Sequence, residues 1–198
     1  MNNPIEIEAS FLDINTTEFK TKLKTLGAKL IQKETLMKRK VFDFPDHRLE
    51  KIGAWVRVRD EGNKITLSFK QLKERTLHGT TDTTIAISDF NSASQILLAI
   101  GLIQISYQET KRETWQLNNC EITIDTWPWI PTFTEIEGPT EDLVKNTTKQ
   151  LDLIWDQALF GSVENIYQTY YRVTEAEVNA WPEITFIPVP EWLETKRK

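Results

Sequence analysis

Pairs of like charges separated by a single residue recur along this chain. Six residues form three such pairs: Glu6 with Glu8, Arg57 with Arg59, and Glu135 with Glu137. Alternate side chains of a β-strand lie on the same face, so each pair would give one strand face a single sign of charge. Crowded carboxylates suit a divalent cation, and guanidinium groups bind phosphate oxygens. The pattern therefore predicts a site with metal on one side and phosphate on the other.

The stretches that carry these pairs alternate between apolar and polar residues, as strands do. Strands are predicted over residues 5–12, 29–44, 54–60, 64–72, 79–88, 102–117, 121–127 and 131–137. Helices are predicted between Asn15 and Gly27 and over residues 89–98, 142–151, 164–171 and 175–181. Residues 183–189 are expected to form a last strand or an extended strap, and the basic end at residues 196–198 is expected to fray. The order β-α-β-β-β-β-α-β-β-β-α, with short turns between strands, favours antiparallel pairing.

The composition is that of a single globular domain. The 198 residues are 39% hydrophobic and 27% charged, with a formal net charge of −5 and a pI near 5.2. This acidic balance predicts no nucleic-acid partner. The sequence has no apolar run long enough to span a membrane and no leader pattern, so no membrane partner is expected. Cys120 is the lone cysteine, which favours a reducing, cytoplasmic location, and His47 and His78 lack the spacing of a zinc site.

Single charged positions extend the three pairs into an ordered set of motifs. Residues 67–70 end in Lys70, residues 111–112 are Lys-Arg, Asp125 closes an alternating stretch, and Gly138 follows the last acidic pair. In this order the motifs resemble those of the CYTH superfamily, also called the triphosphate tunnel metalloenzymes. That family opens with Glu-x-Glu-x-Lys, carries an Arg-x-Arg strand in its middle, and closes with an Asp strand and Glu-x-Glu-Gly. It includes class IV adenylate cyclases, thiamine triphosphatases and inorganic triphosphatases, and the match runs from about residue 5 to residue 160.

The resemblance implies an α+β fold, an eight-stranded antiparallel β-barrel that forms a tunnel open at both ends, with helices packed outside. Residues 1–172 would form this domain, and residues 173–198 would form a C-terminal helix and extended tail packed on the barrel.

The resemblance also implies which residues bind ligands. The implied triphosphate-binding residues are Arg39, Arg57, Arg59, Lys70 and Arg112. The implied ligands of Mg²⁺ or Mn²⁺ are Glu6, Glu8, Asp125, Glu135 and Glu137. The expected partner is a small-molecule triphosphate such as ATP, thiamine triphosphate or tripolyphosphate, and the chain is expected to be a monomer or a homodimer.

Two departures from the family pattern leave the activity open. Ser10 stands where the opening motif has Lys, a residue proposed in several members to position or activate the attacking water. Thr84 and Ala86 share the expected inward phase of Asp82, on a strand where the family often carries acids. The chain is therefore expected to be a triphosphate hydrolase or class IV adenylate cyclase-like enzyme, or alternatively a polyphosphate- or nucleotide-binding module with weak or no catalysis. A structural protein whose interior charges pair with one another is the third hypothesis.

Two further features have a structural and a functional interpretation. The aromatic cluster around Trp127 and Trp129 suits either stacking on a purine or thiazole ring or packing at a barrel rim, and packing is favoured. Glu121 shares the strand face of Asp125, but it follows a turn and is expected to be solvated.

Overall fold

Strands form the largest share of the regular structure, and helices lie between and after them. The computed structural model describes residues 5–198. Its strands are β1 (Ile5–Glu6), β2 (Glu8–Phe11), β3 (Lys29–Asp43), β4 (Ala54–Asp60), β5 (Ile65–Leu72), β6 (Thr80–Ile87), β7 (Ile103–Leu117), β8 (Cys120–Thr126), β9 (Phe133–Glu137) and β10 (Glu183–Ile184). Its helices are α1 (Thr16–Thr25), α2 (Phe90–Ala99), α3 (Glu141–Gln150), α4 (Glu164–Tyr170), α5 (Glu175–Asn179) and α6 (Glu191–Glu194), with 3₁₀ turns at Glu50–Ile52 and Trp155–Gln157. With β1 and β2 taken as one strand, the predicted order of elements is confirmed through α3.

The sheet closes on itself through the N-terminal strand. Its order is β1-β6-β5-β4-β3-β7-β8-β9-β2, and only Ile7 separates β1 from β2. β1 pairs with β6 and β2 pairs with β9, both antiparallel, so the strand predicted over residues 5–12 changes partner at Ile7. At that point the Ile7 carbonyl accepts a hydrogen bond from the Gly138 N–H at 3.0 Å. The ring therefore has eight antiparallel strands, which confirms the α+β barrel.

Tight turns set the register between neighbouring strands. Asn118 and Asn119, which join β7 to β8, have φ values of 50° and 66°. Positive φ at both central residues is what a two-residue hairpin requires, and Asn adopts it more readily than most residues. Gly62 has a φ of 83° in the turn between β4 and β5. Because a shift of one residue would turn every side chain of a strand to its other face, these turns decide which charges lie inside the barrel.

Helices cover the outer faces of the barrel on two sides. Phe19 and Leu23 of α1 belong to one buried cluster with the outward residues Ile122 and Ile136, and Val144 of α3 joins them. On the other side, α2 covers β3, β4 and β5 in a separate buried cluster. This outer packing covers the apolar faces of the strands that the helices contact and leaves their charged faces for the interior. Within residues 5–198, none of the helices has both the length and the apolar content needed to cross a membrane.

The C-terminal segment packs over one end of the barrel. Trp127 and Phe133 of the barrel share a buried cluster with residues of α4, α5, β10 and α6. β10 pairs in parallel with β7, so part of the region predicted as a strand or strap is a short strand. The prediction that residues 196–198 fray is wrong. The Lys196 carbonyl accepts from the Arg172 N–H at 2.8 Å and the Lys198 N–H donates to Tyr170 at 3.0 Å, so the backbone of the tail is held in place.

Candidate functional site

The barrel interior contains a cavity of about 290 Å³. Nine of the ten residues predicted as ligands line it: Glu6, Glu8, Arg39, Arg57, Arg59, Lys70, Arg112, Glu135 and Glu137. The tenth, Asp125, is 0% exposed and is bonded to Arg112. The structure therefore brings the predicted residues together around one space.

The strand register places three arginines on one wall of this cavity. Arg39 of β3 lies directly opposite Arg59 of β4, and Arg57 lies two residues along β4 on the same face. Like charges directly opposite each other on neighbouring strands are unfavourable. The wall formed by β3 and β4, which we call the basic wall, therefore concentrates positive charge at a cost to the ligand-free fold.

Arg57 is the least compensated residue of the basic wall. It is 8% exposed, yet it has no hydrogen-bond or ion-pair partner among residues 5–198, and its Nε is completely shielded. Burial, followed by the neighbouring Arg59, lowers the pKa of Arg57 from 12.5 to about 9. A buried guanidinium group that has lost its water without gaining an acceptor is destabilising. The space in front of Arg57 is therefore suited to an anion.

The other two arginines of the basic wall differ in how far they are neutralised. Arg39 Nη2 donates to Thr110 Oγ1 at 2.6 Å, and the guanidinium lies 4.6 Å from the centre of the Trp127 ring. The Arg39 Nε has no partner in the described part of the chain, and burial is the main cause that lowers the pKa of Arg39 well below its usual value. Arg59 donates from Nε and Nη2 to Glu61 Oε1 at 3.0 and 2.7 Å. Trp127 thus packs on an arginine, which supports the packing interpretation of the aromatic cluster.

The opposite side of the ring of strands carries a row of carboxylates, which we call the acidic wall. Glu8 of β2 lies opposite Glu137 of β9, and Glu137 lies opposite Glu121 of β8. Burial, followed by Glu135, raises the pKa of Glu8 from 4.5 to about 8. Burial, followed by Glu6, raises the pKa of Glu137 to about 7, although Glu137 is the more exposed of the two side chains. Carboxylates this close together are fully ionised near neutral pH only when a cation neutralises them.

Arg112 of β7 binds part of the acidic wall. It donates to the two oxygens of Asp125 at 2.6 and 2.9 Å and to Glu135 Oε2 at 2.7 Å. Burial opposes the charged form, but Asp125 and Glu135 outweigh it and raise the pKa of Arg112 above its usual value. Arg112 is therefore a permanent cation that orients two of the predicted metal ligands.

Lys70 of β5 also binds carboxylates, at the other edge of the acidic wall. Its Nζ donates to Glu6 at 2.9 Å and lies 3.3 Å from Asp82. Lys70, Arg59 and Arg112 thus already have carboxylate partners, and contact between any of them and phosphate stays a prediction.

Two acidic residues of the barrel strands that are outside the predicted ligand set also line the cavity, Asp82 and Glu121. Glu121 is exposed, as expected after a turn, but it faces the same space as Glu137. The period-two pattern of residues 79–88 is the signal that marks Asp82 as inward. Thr84 and Ala86 are exposed, and the Thr84 hydroxyl donates to Asp82 Oδ1 at 2.6 Å.

The C-terminal segment supplies another part of the cavity wall. Ser162, Glu164, Glu175 and Asn179 line the cavity, and no motif in the sequence pointed to them. The barrel expected to be open at both ends therefore has helical residues in its wall. The domain boundary predicted at residue 172 falls within this group.

A separate group of potential metal ligands follows β3. Among residues 5–198, Asp43, His47 and Glu50 place ligand atoms within 4.8 Å of one another. The Asp43 carboxylate accepts hydrogen bonds from the N–H groups of Phe44, Leu49 and Glu50 at 2.6, 3.1 and 2.9 Å. Because these bonds hold the loop after β3, the arrangement is explained without an ion.

The fold and the two charged walls agree with a match to a known family. The family model of the CYTH domain matches residues 4–171. The chain therefore belongs to the CYTH domain family. A comparison with curated proteins found no match.

Solved structures from several organisms are similar to this chain. A candidate adenylate cyclase from Vibrio parahaemolyticus has a TM-score of 0.73 at 15% identity, covering 84% of this chain and 99% of that one. A protein from Pyrococcus horikoshii OT3 has a TM-score of 0.65 at 20% identity, covering 78% and 94%. A candidate adenylyl cyclase from Hippeastrum, described as having a dominant triphosphatase activity, has a TM-score of 0.57 at 13% identity, covering 88% and 94%. These likenesses establish the shared fold.

Proposed function

We propose that this chain binds a linear triphosphate together with Mg²⁺ or Mn²⁺ in the barrel cavity and cleaves one of its phosphoanhydride bonds. The observation that carries the proposal is Arg57, a buried guanidinium group that has no acceptor among residues 5–198 and faces a cavity of about 290 Å³. Phosphate oxygens are the acceptors that match a guanidinium group best, since they accept two parallel N–H bonds. A triphosphate carries about four negative charges, which suits a wall that also contains Arg39 and Arg59.

The acidic wall supports the metal part of the proposal. Its donors are all carboxylate oxygens, the ligands that Mg²⁺ and Mn²⁺ prefer. The pKa of Glu8 is raised to about 8 because burial and Glu135 outweigh the lowering effect of Lys70, and a bound cation would add to that lowering effect. Glu8, Glu135 and Glu137 would hold the ion after their side chains turn toward one another, because their oxygens do not all lie within 4.8 Å of one another in the metal-free chain, while Asp125 stays bonded to Arg112. A bound divalent ion supplies charge neutralisation at the transferring phosphoryl group.

The reaction type follows from which nucleophile enters the cavity. In hydrolysis the nucleophile is water, and in cyclisation it is the ribose 3′-hydroxyl of ATP with pyrophosphate as leaving group. In both, the basic wall would hold the phosphate oxygens in line and stabilise their charge. The triphosphatase activity described for the Hippeastrum protein of the same fold favours hydrolysis as the first reaction to assay.

A second candidate function, binding without fast turnover, is favoured by Ser10. The family motif has Lys at this position, whereas the hydroxyl of Ser10 carries no charge. Ser10 is 6% exposed, and its backbone exchanges hydrogen bonds with Leu159 at 3.0 and 2.9 Å. It lies opposite Glu135 on β9, so a cation here would adjoin the acidic wall.

The third hypothesis, a structural barrel with mutually paired charges, fits only part of the interior. Arg112 and Lys70 are paired, but Arg57 has no partner within residues 5–198 and a cavity separates the two walls. Interior charges that served only the fold would pair with one another.

Two measurements test the proposal. The purified chain is incubated with Mg²⁺ or Mn²⁺ and with ATP, thiamine triphosphate or tripolyphosphate, and phosphate, pyrophosphate and cyclic AMP are quantified. Calorimetric titration with tripolyphosphate measures binding in parallel. Product formation supports the enzyme, tight binding without product supports the binding module, and the absence of both refutes the proposal. The variant Ser10→Lys separates the first two outcomes further, since a large gain in turnover would identify the natural chain as a weakened catalyst.

A further inference from the structure

The gap between β2 and the loop after β5 is filled by residues 158–163. Within residues 5–198, β1 pairs with β6 at Ile5 and Glu6. Beyond that point Ser10 forms its bridge with Leu159 instead of with β6. Gly161 lies so close to Leu72 that an added Cβ would be 3.4 Å from its side chain. This segment therefore forms part of the barrel wall, and it leads directly into α4.

Glu164, the first residue of α4, is the least satisfied carboxylate of that wall. Its side chain lines the cavity, and its Oε2 is completely shielded with no hydrogen-bond partner among residues 5–198. Burial is the main cause that raises the pKa of Glu164 above its usual value, and hydrogen bonds from the Ser162 side chain and from its own backbone oppose it. The positive charge of Arg75 also lowers this pKa, but Arg75 is already bonded to Glu175. One oxygen of this half-buried carboxylate is therefore left without a donor among residues 5–198, and a ligand N–H group would give the carboxylate a further donor.

The end of the cavity near Glu164 differs chemically from the two charged walls. Apolar residues at strand ends contribute there, namely Leu72, Ile105 and Trp55, together with Asn179 of α5. The Lys and Arg residues that line the cavity all lie on barrel strands: Arg39, Arg57, Arg59, Lys70 and Arg112. Phosphate would be repelled by the carboxylates of this end, whereas an organic group with N–H donors would be bound by them.

We infer that Glu164 accepts a hydrogen bond from an N–H group on the organic part of the bound triphosphate, and so selects an amino-substituted organic triphosphate over inorganic tripolyphosphate. The inference rests on the proposed function, because the basic wall must hold the phosphates for the organic group to lie near α4. A site built around a buried acceptor discriminates strongly against a ligand without the donor, since the acceptor then stays unpaired. Each such hydrogen bond corresponds to roughly a 10- to 100-fold difference in affinity.

The first test uses matched pairs of ligands with the natural chain. Calorimetry or fluorescence titration in the presence of Mg²⁺ compares ATP with purine riboside triphosphate, CTP with pyrimidin-2-one riboside triphosphate, and thiamine triphosphate with tripolyphosphate. At least one amino-bearing member is expected to bind about 10-fold or more tightly than its partner. Equal affinity within all three pairs would overturn the inference.

The second test changes the acceptor. Glu164→Met is expected to lower affinity for the preferred ligand about 10- to 100-fold and to leave the affinity for tripolyphosphate within about 2-fold. Glu164→Gln keeps the shape of the side chain and one acceptor oxygen, so its affinity for the preferred ligand is expected to lie between those of the natural chain and the Met variant. It replaces the Met variant in this test if that variant does not fold. Glu141→Met, which changes a partly exposed carboxylate of α3, is the control with no expected effect on ligand affinity.

The two tests separate the failure of this inference from failure of the proposed function. If tripolyphosphate and all other triphosphates fail to bind, both are refuted. If tripolyphosphate binds and Glu164→Met weakens every ligand equally, or none, the basic wall binds phosphate and only the role of Glu164 is wrong.

Discussion

Replacing Arg57 by Met tests the claim that the basic wall is kept for an anion. The pKa of Arg57, lowered by burial and Arg59 from 12.5 to about 9, corresponds at about 1.4 kcal/mol per pKa unit to a cost of about 5 kcal/mol for the charged form in the ligand-free fold. Water that enters the cavity and packing that is lost with the side chain reduce the net gain. We therefore expect Arg57→Met to raise the free energy of unfolding of the ligand-free chain by about 1–3 kcal/mol, in the range seen when buried charges are replaced by apolar groups.

The same substitution is expected to weaken ligand binding. A charge-assisted hydrogen bond contributes about 1.5–3 kcal/mol, so the affinity for tripolyphosphate should fall about 10- to 150-fold. Urea denaturation without ligand and calorimetry with tripolyphosphate and Mg²⁺ measure the two effects. Arg48→Met is the matched control, because Arg48 is exposed and paired with Asp46, and both changes should stay below about 1 kcal/mol.

The two effects must have opposite signs for the reasoning to hold. If Arg57→Met destabilises the ligand-free chain by more than about 1 kcal/mol, the guanidinium group is part of the packing and the buried-charge argument is wrong. If the affinity for tripolyphosphate is unchanged, Arg57 does not contact the phosphates.

Three other predictions concern the acidic wall and the C-terminal segment. Burial and Glu135 raise the pKa of Glu8 from 4.5 to about 8, so the folded chain binds a proton at Glu8 more tightly than the unfolded chain does. The contribution of this protonation to stability is therefore complete below about pH 4.5 and is lost as the pH rises through about 8. Mg²⁺ should therefore raise the melting temperature more at pH 9 than at pH 6, and an equal or smaller rise at pH 9 would contradict metal binding at Glu8. Arg112→Ala should destabilise the chain by about 3–5 kcal/mol in urea denaturation, because it leaves the fully buried Asp125 unpaired, whereas Arg48→Ala should cost less than about 1 kcal/mol. Deleting residues 173–198 should lower the melting temperature by more than about 10 °C or cause aggregation. The reason is that each large apolar side chain removed from the buried cluster at the barrel end contributes about 1.5–3 kcal/mol of stability. An unchanged melting temperature would mean that residues 1–172 are an independent domain.

The positions of the charged walls could be predicted from the sequence because strand alternation is local. Glu6 and Glu8, or Arg57 and Arg59, share a face whatever the strands pair with, and the apolar residues between them must face the helices. The turn at Asn118 and Asn119 is equally local, since few residues accept positive φ at two successive positions. The order of the motifs then indicated a single barrel.

The partners of the charges could not be predicted in this way, because they depend on register between strands. Arg112 meets Asp125 only because β7 and β8 pair with these residues opposite each other. The part of Glu164 in the cavity depends on residues 158–163 crossing the gap beside β2, a path that no periodic pattern describes. The C-terminal tail is a similar case. Its basic residues suggested fraying, but backbone hydrogen bonds to Tyr170 and Arg172 hold it in place, and no sequence pattern indicates those bonds.

The two walls are asymmetric, and the asymmetry indicates which wall binds the negative ligand. The acidic wall has built-in cations, Lys70 and Arg112. Directly across from Arg57 on β5 lies Ser68, whose hydroxyl shares a hydrogen bond with Thr84 at 2.5 Å, so the cross-strand neighbour that could neutralise Arg57 is uncharged. A glutamate at residue 68 would pair with Arg57 and remove the cost of the unpaired charge, at the expense of the space and the charge that an anion needs. The chain therefore keeps a destabilising positive charge at the one wall where a bound phosphate would relieve it.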